Sequence, residues 1–161
     1  ADYDGGAVQV YGEVGYQFQV SQQGLITPLL GLGYTSVWTS DFTEKGASGA
    51  NLKVDEASFD SLATTLGVRG SLALGGWEPS LFLGWRHEFL DDHGEADVAF
   101  AAVPDSKWTV IGSDVGSDAG LVGVGVVAEI SAQFEAVVDY AGQFSGAGNS
   151  HTGSLGLRFK F

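Results

Sequence analysis

"GSLGLRFKF", residues 153–161, closes the chain on a strict two-residue rhythm. Leu155, Leu157, Phe159 and Phe161 share one parity, while Ser154, Arg158 and Lys160 share the other. Successive side chains of a strand point to opposite faces, so the stretch reads as a strand that is apolar on one face and polar on the other. The last residues of soluble domains usually fray in polar sequence. A final strand this regular, ending on an aromatic, suits a sheet whose last strand is needed for closure.

The same rhythm runs back through the chain, and helical periodicity appears nowhere. In "VQVYGEVGYQFQV" (8–20), Val8, Val10, Val14, Tyr16, Phe18 and Val20 oppose Gln9, Glu13, Gln17 and Gln19. After the turn "SQQG", a strand from Leu25 to about Phe42 sets Ile26, Leu30, Leu32, Tyr34 and Trp38 against Thr27, Gly31, Gly33 and Thr35. Residues 43–58 read as a long polar loop. From Phe59 to Leu74, Leu62, Leu66, Val68, Leu72 and Leu74 oppose Ala63, Thr65, Arg69 and Ser71. Gly75-Gly76 predicts a two-residue hairpin turn.

In "WEPSLFLGWRHEF" (77–89), Trp77, Leu81, Leu83, Trp85 and Phe89 oppose Glu78, Ser80, Arg86 and Glu88. Pro79 belongs near the start of that strand, since it donates nothing to a ladder. Residues 91–113 are a second long connection, expected to form a hairpin around "VPDSK". In "GLVGVGVVAEI" (120–130), Val122, Val124, Val126 and Ile130 oppose Leu121, Gly123, Gly125, Val127 and Glu129. A turn at Ser131-Ala132 leads to "QFEAVVDYAGQF" (133–144), where Phe134, Val138, Tyr140 and Phe144 oppose Gln133, Glu135, Asp139 and Gln143. "SGAGNSH" (145–151) reads as a loop before the closing strand.

Seven strands emerge from the sequence, joined alternately by short turns and by loops. Outer-membrane barrels show that asymmetry, with short periplasmic turns and longer extracellular loops. Composition agrees. No run of apolar residues is long enough for a spanning helix, which leaves a closed barrel as the way to cross a membrane. A net charge of −13 argues against a nucleic-acid partner. With no cysteine there is neither a disulfide framework nor a thiolate metal site. With no methionine and no basic or apolar leader in "ADYDGG", the chain is expected to be a processed protein or an internal piece.

The decisive question is which face meets lipid. Arg69, Arg86 and Arg158 share the polar parity with Glu13, Glu78, Glu88, Glu129, Glu135 and Asp139. A soluble outer face would be rich in Lys, yet on the strands only Lys160 occurs. The opposite face is almost uninterrupted by polar groups and carries Phe18, Trp38, Trp77, Phe89, Phe144 and Phe161 toward strand ends, as an interfacial aromatic girdle does. The expected fold is therefore all-β, an antiparallel up-and-down transmembrane β-barrel with Glu13, Arg69, Arg86, Glu129, Glu135, Asp139 and Arg158 lining its lumen. Trp38, Trp77, Phe89 and Phe144 are the expected interfacial aromatics, and bacterial outer-membrane lipid is the expected surrounding.

Four stretches carry a family resemblance: "LLGLGYTSVW", "SLATTLGVRGSLAL", "PSLFLGWRHEF" and the terminal "GSLGLRFKF". In order and spacing the chain resembles the carboxyl-terminal part of autotransporter translocator barrels, the membrane domains of type V secretion. The resemblance implies a twelve-stranded barrel of which this chain supplies the last seven or so strands, one domain over 1–161 entered mid-barrel. It also implies an upstream passenger exported to the cell surface, a linker helix in the pore, and recognition of the last strand by the barrel assembly machinery. Leu155, Leu157, Phe159 and Phe161 would be the positions recognised.

Other motifs are weaker. "GVGVVA" (123–128) matches a dinucleotide fingerprint, but that chemistry needs a helix after the glycines so that its N-terminus meets the pyrophosphate. Inside an alternating strand, the glycines are expected to thin the lumen wall or leave room beside an aromatic. "DDHGEAD" (91–97) gathers Asp91, Asp92, His93, Glu95 and Asp97 in a loop. It could suit a hard cation or a protease at the barrel rim, and a solvated loop is the plainer reading. His87 is expected near the interface, and no serine stands in G-x-S-x-G. The expectation is an anchor and translocator with no enzyme activity, no cofactor and no resident metal. The alternative is a soluble lipocalin-like barrel that turns its Val, Leu and Phe face inward around an apolar ligand.

Overall fold

A computed structural model describes residues 3–90, 93–112, 114 and 116–160. Apart from a 3-10 turn at Ser48–Ala50, its regular elements are β-strands. They are β1 (Gly5–Gly15), β2 (Phe18–Gln19), β3 (Gly24–Thr39), β4 (Phe42–Thr43), β5 (Leu52–Val54), β6 (Ala57–Leu72), β7 (Trp77–Glu88), β8 (Glu95–Phe100), β9 (Val103–Ile111), β10 (Asp118–Ser131), β11 (Phe134–Ser145) and β12 (Asn149–Phe159). A large sheet runs in the order β1-β3-β6-β7-β10-β11-β12, with β2 beside β3, and a small one in the order β4-β5-β8-β9. Each long strand thus lies beside the next long strand of the sequence, the topology of an up-and-down meander.

The chain falls into two compact units. One comprises Ala1–Tyr11, Gly33–Ala63 and Glu88–Val115, and holds the small sheet. The other comprises Gly12–Leu32, Thr64–His87 and Gly116–Phe161. In the second unit the register is continuous: Val124 stands opposite Leu81 on β7 and Tyr140 on β11, and Val138 opposite Leu155 on β12. Because the pleat has a period of two, this register gathers Leu81, Val124, Val138 and Leu155 on one face and Glu129, Glu135 and Arg158 on the other.

Several connections differ from the sequence reading. Residues 43–58 are not wholly loop, because β4 and β5 pair there, Phe42 opposite Val54. The second connection does form a hairpin, but it turns at Ala101-Ala102, and "VPDSK" lies on β9. Ser106 explains the shift: its hydroxyl donates to the Val103 carbonyl at 2.6 Å and accepts from the Phe100 amide at 3.2 Å, closing the bend locally. Pro104 is tolerated because β9 ends the order of its sheet. The stretch 145–151 is a tight turn, with β12 already begun at Asn149 and the Ser145 amide bonded to the Gly148 carbonyl at 3.0 Å. The turn expected at Ser131-Ala132 lies one residue later, where the Ser131 hydroxyl accepts from the Gln133 and Phe134 amides.

Gly75 and Gly76 have φ of +57° and +94°, so the predicted hairpin is present, in a conformation that glycine adopts most readily. Other glycines serve a different end. Phe82 lies on the polar face against Gly67, Gly84 and Gly123; a Cβ would meet its ring directly at Gly67, at 2.7 Å at Gly84, and would meet its Cβ at 3.2 Å at Gly123. The Arg69 guanidinium stands 5.8 Å from the ring centroid. Gly125 leaves room for Asp139 and Ser80, whose oxygens would lie 2.6 and 2.8 Å from a Cβ there. The glycines of "GVGVVA" therefore make space for side chains on an extended strand, as a barrel reading requires.

Hydrophobic burial is inverted relative to a soluble domain. Among the described residues no large side chain is fully buried, while Leu155 is 81% exposed, Leu157 75% and Val10 64%. The side chains buried below a tenth include Glu88 and Glu135. Among the described residues no core of large apolar side chains encloses a ligand space, which gives the soluble lipocalin-like alternative no support.

A valine at Gly67 would collide with the Phe82 ring, and Gly67→Val is expected to destabilise the protein by ~1–3 kcal/mol. Phe82→Ala in that background should recover part of the loss, a coupling readable as non-additive urea midpoints in lipid vesicles. Additive midpoints would show that the glycine and the ring do not share a packing constraint.

Candidate functional site

The polar face of the second unit gathers the charges singled out from sequence, and the ladder explains who meets whom. Glu129 stands opposite Glu135, and Glu135 opposite Arg158. Two carboxylates side by side repel. Here the conflict is offset by two cations, since Arg158 Nη1 lies 3.4 Å from Glu135 Oε2 and Lys160 Nζ pairs with Glu135 Oε1. Glu78 joins the same end of the face, where Glu78, Glu129 and Glu135 line a cavity of about 160 Å³ beside Gly75-Gly76. The Glu129 amide donates to the Gly76 carbonyl at 2.8 Å, which ties this group to the hairpin.

Farther along, Ser80, Gly125, Asp139 and Ser154 occupy one row across four strands. Ser154 Oγ reaches Asp139 at 3.5 Å. Arg69 lies 3.8 Å from Glu13 as well as against Phe82. Arg86 stands on the same face opposite Ala119. Thus Glu129, Glu135 and Arg158 come together, Arg69 and Glu13 form a separate pair, and Asp139 holds a hydroxyl row. These are charges held in complementary pairs on one face, a surface suited to hydration and to polar chain segments.

The apolar face carries the four expected interfacial aromatics, Trp38, Trp77, Phe89 and Phe144, all exposed. Leu155, Leu157 and Phe159 share that face on β12, and Phe161 lies outside the described residues. The face is not as free of polar groups as its sequence implies. Asp118 Oδ1 accepts from Trp85 Nε1 at 2.9 Å and lies 2.9 Å from His87 Nδ1. Tyr140 and His151 meet at 2.8 Å, and the Tyr34 hydroxyl donates to Asp60 at 2.8 Å. Each aromatic thus keeps its polar tip bonded across a strand, near the loop-side ends. Asp118 stands two residues before Gly120, on the parity of Val122 and Val124, so the alternation itself carries it onto this face. Phe82 falls on the polar parity, where alternation gives an aromatic no signal.

In the first unit, Glu88 is buried and accepts from Ser61 Oγ at 2.6 Å and the Leu62 amide at 2.7 Å, fastening the end of β7 to β6. Of the "DDHGEAD" group, Asp91 and Asp92 lie outside the described residues, and His93 Nε2 sits 3.1 Å from Glu95. Asp55 receives Lys107 at 2.8 Å and Lys53 at 3.1 Å. Net charge is unevenly shared: the first unit has fourteen acids against three lysines, net −11, and the second six acids against four bases, net −2.

Compared with known protein families, residues 1–141 match the autotransporter β-domain. The chain belongs to the autotransporter β-domain family. No curated protein matches it closely enough to add a relative. The family is one of outer-membrane β-barrels in Gram-negative bacteria that act as translocators in type V secretion, and it is not known as enzymatic. This autotransporter β-domain is accordingly an outer-membrane β-barrel component, with a translocator role and a linked passenger in general terms. The alternation that predicted a barrel and the inverted burial both follow from that membership.

In this β-domain the Lys107 ammonium, and after it Lys53, hold the Asp55 carboxyl below its ordinary 3.8. A lowered folded value means that the stabilisation is present above the ordinary value and is lost as pH falls through the folded one. Asp55→Asn removes it at every pH. Amide protection of β8 and β9, corrected for intrinsic rates, is expected to be greater in wild type than in the variant at neutral pH. The two should converge in acid, and a difference that persists there would separate this protection from Asp55 ionisation.

Proposed function

We propose that the chain forms part of the pore wall through which, or alongside which, an upstream passenger reaches the cell surface. The observation that supports this best is the inverted burial: apolar side chains exposed on all the long strands, charged ones paired on the other face. On this reading the apolar face meets acyl chains, and Glu13, Arg69, Arg86, Glu129, Glu135, Asp139 and Arg158 line a hydrated lumen. The Glu129–Glu135–Arg158 row would hold a linker segment by exchange of its ion pairs, since paired charges keep the path wet without binding one sequence tightly. No covalent step is assigned to these residues.

Two further elements complete the proposal. Strands β1 and β12 end the sheet order, and an open edge in hydrocarbon leaves backbone groups without partners. Further strands of a single barrel domain would close that gap. Leu155, Leu157, Phe159 and Phe161 would present the last strand to the assembly machinery, which fits the high exposure of the first three.

Brominated lipids test the central claim. In variants that retain one tryptophan at a time, Trp77 and Trp85 are expected to be quenched by bromine on acyl chains. Trp108, on β9 of the small sheet, should respond to aqueous iodide instead. Acyl-chain bromine that leaves Trp77 and Trp85 unaffected would sink the membrane reading. Passenger export has its own readout, since Glu135→Lys should lower protease-accessible passenger at the cell surface while barrel insertion persists.

A further inference from the structure

Outside the proposed pore, the apolar face of β3, β6 and β7 carries an indentation. Gly24, Ile26, Gly70, Leu72, Pro79 and Leu81 line a cavity of about 350 Å³ there. A second, shallow and open depression of about 600 Å³, lined by Pro28, Leu66, Val68, Leu83 and Trp85, takes up at the next residues of the same strands. Together they make a trough along β7 from Pro79 to Trp85.

Gly70 forms its floor, and the usual reasons for glycine do not apply to it. Its φ is not in the left-handed region. Nothing crowds it either: the nearest atom to a Cβ there would be the Leu25 carbonyl oxygen at 3.9 Å, an ordinary contact. Gly67, Gly84 and Gly123, by contrast, are each occupied by Phe82. The missing side chain at 70 leaves an open, apolar channel in an otherwise ridged surface.

We propose that this trough binds one acyl chain of an inner-leaflet phospholipid. The inference rests on the membrane reading above, and the trough is continuous with the face assigned to lipid. Its dimensions argue for a single leaflet. Six residues of strand span about 20 Å, and a tilt of about 40° reduces this to roughly 15 Å along the membrane normal, half of a hydrocarbon core of about 30 Å. The trough begins at Gly24 and Pro79, beside the short turns, which places it in the periplasmic leaflet. There the lipid is phospholipid.

The test uses the native protein extracted from outer membranes in mild detergent and weighed by native mass spectrometry. Wild type is expected to retain one phospholipid. Gly70→Leu fills the trough and should lower that occupancy roughly tenfold. Gly153→Leu is the control. Gly153 lies on β12, on the same face opposite Tyr140 and away from the trough, and nothing lies within 4 Å of a Cβ there. Its occupancy should equal that of wild type. The proposal is overturned by wild type without bound lipid, by equal occupancy in Gly70→Leu, by lipopolysaccharide in place of phospholipid, or by a two-chain species that masks the face. Trp77 quenching, read after the same proteins are reconstituted into brominated-lipid vesicles, separates the two readings. Quenching without retained lipid ends the trough proposal alone, and loss of quenching ends both.

Discussion

Hydrocarbon supplies no water, so each backbone N–H and C=O of a strand that crosses it must find its partner on a neighbouring strand. That constraint orders everything else in this protein. It favours long strands laid side by side in chain order, as β6, β7, β10, β11 and β12 are. It favours tight connections such as Gly75-Gly76, which lose little ladder. It also fixes the register, and register in turn decides which side chains share a face. Once the ladder is set, Glu135 has no choice but to stand between Glu129 and Arg158.

Side chains then have to fit a sheet whose two faces are both special. On the polar face Glu13 and Glu135 meet cations, and Asp139 meets a hydroxyl. This keeps the second unit near neutrality while the loop-bearing unit carries nearly all the net charge. Charge in a membrane-spanning region is costly unless it is paired or wet, whereas a solvated loop sheet tolerates a surplus. On the same face Phe82 lies over three glycines, an aromatic covering backbone that would otherwise have no packing partner. Glycine here does the opposite of loosening a strand. It lets a large ring lie flat against the ladder.

The other face shows how aromatic residues with polar tips are accommodated. Trp85 and Tyr34 each place an N–H or O–H on a carboxylate across the ladder, and the Tyr140 hydroxyl pairs with the His151 ring. A ring can then remain against apolar surroundings while its polar atom is satisfied. These pairs join residues of different strands, separated by as many as 33 positions in the chain. No local pattern announces them.

The sequence by itself determined the strands, their faces and the barrel class, because side-chain parity has a period of two and is written locally. It also determined the family, through the order of several short stretches. What it left open is everything that depends on which residue lies opposite which. The ion-pair row at Glu135, the seat of Phe82, the Asp118 pairing and the trough over Gly70 all arise from register between strands far apart in the chain. The small sheet escaped for a related reason. β4 and β5 are two and three residues long, too short for alternation to show, and they form because β5 pairs with β8 and β4 with β5. Parity is a property of one strand, but contact is a property of two, and only the tertiary structure supplies the second.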